Sequence, residues 1–477
     1  MDYSKIGFKC GIEVHNRLAT KHKLFCKCPP RFSTQKPHLA ITRKLRAVAG
    51  ELGQIDQAAL YEYLRDRTFK YQIFKDTTCL VEIDDEPPHE LNPEALSVAL
   101  QVARLLHCEL PNEIQIMRKT VVDGSNTCGF QRTVIVGLNG WLALYKGKIR
   151  ISSVALEEES AGIVEQKGNE ITYRLDRLGI PLIEVATEAD IESPEQAKEV
   201  AERIGLMIRS TGKSQRGIGV TRQDVNVSVE GGARVEIKGV QELDMIPKII
   251  ENEIERQLKN KGKTVKETRA AKQNGTTEFL RPLPGGERLY PETDVIPIAV
   301  TKQMLSEPLP ETWEQKEKRL LKILPKQFVS QILRSYSLDW FEQHCKICDP
   351  VLVAVTYTST LKDLGRKGIP IDNINSSQLA YIFKLVADKK ISKEAIPGLL
   401  EFVANNPGIK ETEILRQKVG EAISETELRR IVKDVISRNP GLVKEKRISA
   451  LMGDVMKIVR GKVDGKTVEK ILKELIQ

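Results

Sequence analysis

Glu13 and His15 stand two apart in 11–15 (GIEVH), an alternating run that reads as a β-strand, so carboxylate and imidazole project from one face. A Glu and a His so placed can share a divalent cation. Glu184 sits in the apolar run 180–186 (IPLIEVA), where a lone charge is costly unless paired or metal-bound. A structural salt bridge is the competing reading for both glutamates. Glu157, Glu158 and Glu159 follow the alternating 149–152. Three adjacent carboxylates repel unless solvated or holding a cation, and a solvated loop is the default expectation for them.

A second group comes from 222–230 (RQDVNVSVE), Gly231-Gly232, and 234–238 (RVEIK), the pattern of a β-hairpin. Its period of two sets Val225, Val227, Val229 and Ile237 on one face. Arg222, Asp224, Asn226, Glu236 and Lys238 share the other. A solvated exterior is the ordinary fate of such a face. Here, however, Asp and Asn occupy strand interiors, where they are disfavoured, and both signs of charge are closely opposed, as at a binding site.

Cys26 and Cys28 make a two-thiol clip, and Cys79 lies three residues before Glu82. Three thiols and one further ligand suit a structural zinc ion; unrelated buried thiols are the alternative. Cys345 and Cys348 have no second pair near them and read as reduced thiols. The segment ending Gly212-Lys213-Ser214 is not a phosphate-binding loop, because Met207 stands where that motif requires glycine.

The elements that must position these groups are readable in outline. Residues 1–300 mix short β-rich runs with a few helices, whereas residues from 301 onward read as successive helices. Asn92-Pro93 and Ser193-Pro194 start two helices, and Gly212 is placed to end the second. A third helix is expected over 244–260 and another after Ser424, ended by Asn439-Pro440-Gly441. The polar stretch 261–278 reads as a surface connection, and the turn-rich 281–294 closes the first region. The fold class is α+β, with a mainly antiparallel sheet and helices followed by an all-helical region.

With 74 Lys+Arg against 65 Asp+Glu the net charge is +9, which suits a nucleic-acid partner without requiring one. No apolar run is long enough to span a bilayer, and the first residues lack a signal-peptide core, so a cytoplasmic protein with reduced cysteines is expected.

Taken together, 11–18 (GIEVHNRL), 23–29 (KLFCKCP), 123–133 (DGSNTCGFQRT), 155–162 (ALEEESAG), 176–191 (DRLGIPLIEVATEADI), 209–229, 234–243 (RVEIKGVQEL) and 279–294 (FLRPLPGGERLYPETD) resemble the GatB/GatE family of tRNA-dependent amidotransferase subunits, in order and from end to end. Within it, 79–88 (CLVEIDDEPP) is similar to the archaeal GatE branch. The segment 451–472 resembles a YqeY-like tail. The resemblance implies a catalytic domain over 1–300, a helical cradle over 301–408 and a small helical tail domain over 409–477.

It also implies a reaction. Such subunits bind Glu-tRNA(Gln), use ATP and Mg²⁺ to phosphorylate the glutamate γ-carboxylate, and pass it to ammonia from a glutaminase partner of the L-asparaginase-like GatD type. A GatB-type assembly with another amidase and a non-catalytic tRNA-binding scaffold are the alternatives. By resemblance, Glu13, His15, Glu159 and Glu184 hold Mg²⁺. Arg222 and Lys238 address phosphate, with Asp224, Asn226 and Glu236 around them. Cys26, Cys28 and Cys79 with Glu82 hold zinc, Glu82 standing where some GatB chains have a cysteine. Arg460 and Lys462, in a tail with nine Lys+Arg against five Asp+Glu over 440–477, contact tRNA. In one respect the chain departs from the GatE pattern. The aspartyl-tRNA-synthetase-like insertion expected before 267–271 is replaced by about a dozen polar residues.

Overall fold

The computed structural model describes residues 2–50, 53–144, 147–215, 217, 219–285, 288–335, 338–418, 424–444, 448–459 and 465–476. The chain forms two compact units, Met1–Thr312 and Trp313–Gln477.

The first unit is built on a ten-stranded sheet. From one edge its strands run Thr277–Pro282, Glu267–Ala271, Val235–Val240, Thr221–Ser228, Lys9–Arg17, Pro181–Thr187, Lys148–Glu158, Phe130–Ala143, Ile116–Thr120 and Leu289–Pro291. All neighbours pair antiparallel except Val235–Val240 with Glu267–Ala271. One face is apolar: Ile12, Val14, Val154, Leu156, Ile183, Val185, Val225, Val227 and Ile237 are buried against helices Pro93–Leu105, Pro194–Ser210 and Met245–Lys259. The three helices fall where the sequence places them. Asn92 and Ser193 accept the expected N-cap bonds, and Gly212 follows the second helix at φ +71°.

The sheet's two edge strands, Thr277–Pro282 and Leu289–Pro291, are consecutive in the chain. Six residues can bridge about 24 Å, whereas the edges of a flat ten-stranded sheet would lie about 43 Å apart. The sheet therefore curls, and Arg281 Nη1 reaches Asp123 Oδ2 at 3.3 Å from its opposite end. The buried Glu292 fastens the returning segment, accepting from Arg118 and, at 2.8 Å, from Arg132 Nε.

A four-stranded sheet, Leu39–Arg43, Thr68–Ile73, Glu170–Arg174 and Gly162–Lys167, has its own core of Phe69, Tyr71, Ile171, Tyr173 and Leu178. It grips the loop that enters the large sheet. Tyr71 and Tyr173 donate to the carbonyls of Gly124 and Asp123 at 2.9 and 2.8 Å.

Two expectations are overturned. The run 157–159 is not a solvated loop, since Glu157 and Glu158 end a strand and all three carboxylates are buried. Cations and amides around them replace the water that the sequence led us to expect. The stretch 261–278 is not only a surface connection, because it contains the strand Glu267–Ala271 and the start of Thr277–Pro282. Its inward groups are themselves polar: Thr268 donates to Glu236, and Glu267 pairs with Arg256 and Arg269. Apolar periodicity is therefore absent although the backbone is extended.

The second unit is helical throughout its described length. One core gathers Leu320, Ile332, Phe341, Ile382, Phe383, Leu399 and Val403, and another gathers Leu428, Val432, Leu451, Val455, Val468 and Leu472. Ser424 caps the helix Glu425–Arg438, as its sequence indicates. The α+β class and the helical second region are as read from the sequence.

Candidate active site

The polar face of the curled sheet lines a cleft of about 650 Å³. Register decides which side chains meet there. His15 pairs directly with Glu184 on one neighbouring strand and with Arg222 on the other, and Glu13 pairs with Asp224. In-register residues share a face, so Glu13, His15, Glu184, Arg222 and Asp224 all point into the cleft. Across the hairpin, Asn226 pairs with Glu236 and brings Glu236 and Lys238 to the same side.

Two groups lie within reach of a single cation: Glu13 with His15 and Glu184, and Glu13 with Asp224 and Glu236. Glu13 belongs to both. His15 Nε2 lies 3.0 Å from Glu184 Oε2. Lys238 Nζ is 2.8 Å from Asp224 and 2.9 Å from Glu236. Asn226 donates to Glu13 at 3.1 Å and accepts from Arg234 Nε at 3.0 Å.

The charges are unevenly matched. Burial, then Glu184 and Glu236, push the Glu13 carboxyl up to about 7. Burial works against a charged His15, yet the hydrogen bond and charge of Glu184 outweigh it and raise the imidazole to about 9. Burial likewise opposes ionisation of Glu184, but Lys119, His15 and Lys238 hold its carboxyl well below the usual range. Lys238 does the same for Asp224 and Glu236 against their burial, and is itself held protonated by them. Four carboxylates face one imidazole and one ammonium here, an excess of two negative charges that a hard divalent cation such as Mg²⁺ would offset through carboxylate oxygens.

Glu159, expected among the metal ligands, lies in the cleft but belongs to neither group. Arg222 grips it with both Nη atoms at 2.7 and 2.9 Å, and Arg177 Nη2 adds a contact at 3.2 Å. Burial would raise its carboxyl, but the two guanidiniums hold it low. Of the three consecutive glutamates, Glu157 is the one that reaches towards the acidic groups, taking Lys119, Gln131 and Thr133 as partners. Glu158 turns away to Arg132.

Lys119, Gln131, Arg177 and Arg281 line the cleft without having been singled out in the sequence. Strand parity would have found Lys119 and Gln131 only once their pairing with the glutamate strand was known.

Cys26, Cys28, Cys79 and Glu82 do converge, with ligand atoms all within 4.8 Å of one another. Glu82 lies 3.3 Å from the Cys26 sulfur and 3.0 Å from that of Cys79. Its carboxylate also accepts from the Cys79 backbone N–H at 2.9 Å and from the fully buried Lys23 Nζ at 2.7 Å. Three thiols and a carboxylate are a zinc-type donor set, and Lys23 would offset part of its negative charge. Cys345 and Cys348 carry free thiols. Arg460 and Lys462 lie outside the described residues.

The family model for the GatB/GatE catalytic domain matches residues 8–306, and that for the GatB domain matches 339–476. The GatE protein of Methanococcus maripaludis strain S2, a glutamyl-tRNA(Gln) amidotransferase component, is 36% identical to this chain over 629 aligned residues, covering all of both chains. The GatE proteins of Archaeoglobus fulgidus and Methanocaldococcus jannaschii are 36% and 34% identical, covering all of this chain and 99% of each relative. The first alignment is longer than the 477 residues here, so that relative carries about 150 residues this chain lacks.

Proposed function

Because the chain belongs to the GatB/GatE family, we propose that it is the tRNA-binding, ATP-using subunit of a tRNA-dependent amidotransferase that converts Glu-tRNA(Gln) to Gln-tRNA(Gln). The observation that carries this reading is the pair of acidic groups sharing Glu13, set beside Lys238 in one cleft. In this reading the γ-carboxylate of the esterified glutamate attacks the terminal phosphorus of ATP, and ADP leaves. Ammonia then adds to the acyl phosphate carbon and phosphate departs, leaving the amide. Activation is needed because carboxylate oxygen is a poor leaving group.

Mg²⁺ held by Glu13, His15 and Glu184, with a second ion at Glu13, Asp224 and Glu236, would neutralise charge where carboxylate meets triphosphate. Lys238, fixed by Asp224 and Glu236, presents a positive charge to phosphate oxygens. Asn226 orients Glu13, and Glu184 fixes the imidazole of His15. Arg222, clamped on Glu159, supplies a rigid guanidinium at the cleft wall. A structural Zn²⁺ belongs to the Cys26, Cys28, Cys79 and Glu82 cluster.

The complex would be cytoplasmic and heteromeric, its ammonia coming from a glutaminase of the GatD type. The described residues contain no helix long and apolar enough to cross a membrane. Without the extra residues of the relative, recognition of tRNA(Gln) would rest on the cleft and on the second unit, including Arg460 and Lys462.

The test is to incubate the full chain with Glu-tRNA(Gln), Mg²⁺, γ-labelled ATP and ammonium, beside Glu184→Ala. Gln-tRNA(Gln) from the wild type and none from the variant supports an activating role with the site at Glu184. Tight tRNA binding without product, even with a glutaminase supplied, turns the reading to a scaffold.

A further inference from the structure

Arg17 stands two positions beyond His15 on the central strand, on the face that lines the cleft. It is only 6% exposed, and its Nε is buried with no acceptor. Among the described residues its side chain has no hydrogen-bond or ion-pair partner. Its guanidinium carbon lies 5.2 Å from the centre of the Phe32 ring. The charges that act on it most are Glu159 in attraction and Arg222 and Arg177 in repulsion.

Glu159 is already engaged by both of those arginines. Two of the three guanidiniums thus share one carboxylate and the third contacts none, which leaves an excess of positive charge among the described residues at this end of the cleft. A guanidinium cannot shed its proton, and a buried charge without a counter-ion is costly. Such a site calls for an anion. An acyl carboxylate would supply one negative charge, whereas a terminal phosphate or polyphosphate supplies two or more. The planar forks of Arg177 and Arg222, which line the cleft wall beside Ser160, suit phosphate oxygens.

We infer that Arg17, Arg177 and Arg222, gathered around Glu159, form a subsite for a phosphate group beyond His15, at the far side from Glu13. The inference deepens the proposed function: the phosphate comes either from the nucleotide or from the RNA chain, and the unmatched charge favours the nucleotide. Glu159 then acts as a positioning residue that holds two of the three guanidiniums ready.

The experiment uses the full chain as wild type, Arg17→Gln and Arg17→Lys, with melting curves and equilibrium binding at fixed ionic strength in chloride. The probes are inorganic pyrophosphate, ATP, and a short oligoribonucleotide ending in CCA. Arg17→Gln is expected to melt no lower than wild type without ligand, since an unmatched buried charge is removed. It should bind pyrophosphate about tenfold more weakly or worse, with Arg17→Lys in between. A matching loss for ATP assigns the subsite to the nucleotide, and a loss confined to the oligoribonucleotide assigns it to RNA.

Wild-type affinity of Arg17→Gln for all three probes overturns the inference and leaves Arg17 as a packing residue on Phe32. Should Arg17→Gln melt lower, Arg17→Lys must recover part of the affinity, and failure to do so also overturns it. None of these readouts needs turnover. A wild type that makes Gln-tRNA(Gln) while these affinities stay equal sinks the subsite alone. Unequal affinities without product sink the proposed function alone.

Discussion

Replacing Lys238 with methionine tests how the acidic groups are balanced. The ammonium sits 2.8 Å from Asp224 and 2.9 Å from Glu236, and its charge also reaches Glu13. The side chains of Asp224 and Glu236 are each 10% exposed, so Lys238→Met leaves two nearly buried carboxylates facing each other and Glu13. Removing one partner of a buried pair costs about 3–5 kcal/mol. Lys238 is one-third exposed, so water recovers part of this, and we expect about 2 kcal/mol at pH 7.5, a roughly 30-fold fall in the folded-to-unfolded ratio.

The sign of the pH dependence follows from the carboxyl shifts. In the wild type Asp224 and Glu236 have folded pKa values held below their ordinary ones. They contribute stability above about pH 4, and it is lost as pH falls through the folded values. In Lys238→Met their folded values rise above the ordinary ones, so the penalty is present near neutrality and fades as the pH falls. The difference between the two proteins should therefore shrink from pH 7.5 to pH 4. Millimolar Mg²⁺ should restore part of it at pH 7.5, because a cation can take the ammonium's place. Urea unfolding at the two pH values, with and without Mg²⁺, measures this. An equal gap under all four conditions would refute the charge-balance argument and reduce Lys238 to a packing contribution.

Purified protein should carry about one equivalent of zinc by metal analysis, with Cys79→Ser losing it and melting lower; zinc-free wild type that melts like Cys79→Ser would remove the metal from this site. Gly124→Ala should destabilise by about 3 kcal/mol in urea melts, because φ is +87° and a Cβ would come within 2.2 Å of the Phe69 ring. A loss under about 1 kcal/mol there would mean that the loop above the small sheet yields easily.

The hairpin and the Glu13–His15 strand were legible in the sequence because alternation is local. A period of two assigns Arg222, Asp224, Asn226, Glu236 and Lys238 to one face without knowing what lies beside them. The helix starts at Asn92 and Ser193 were legible for the same reason, since a cap needs only its own first turn. The strand Glu267–Ala271 was hidden because what it buries is polar, and hydrophobic patterning is the signal that sequence reading relies on.

By itself the sequence determined the α+β class, the helical second region, the family resemblance and the set of residue types able to hold a cation beside a phosphate. Only the tertiary structure decided which of them meet. The pairing of Lys148–Glu158 with Pro181–Thr187 turns Glu157 towards Lys119 and Glu158 towards Arg132, and leaves Glu159 to Arg222 and Arg177. A one-residue slip would exchange these roles, and register is fixed by the whole buried face rather than by the glutamates themselves. The unmatched charge of Arg17 is decided in the same way. An arginine two residues after a histidine is unremarkable in a sequence, and only the register of the neighbouring strand that carries Arg222, with the loop that carries Arg177, gathers the three around a single carboxylate and leaves positive charge in excess.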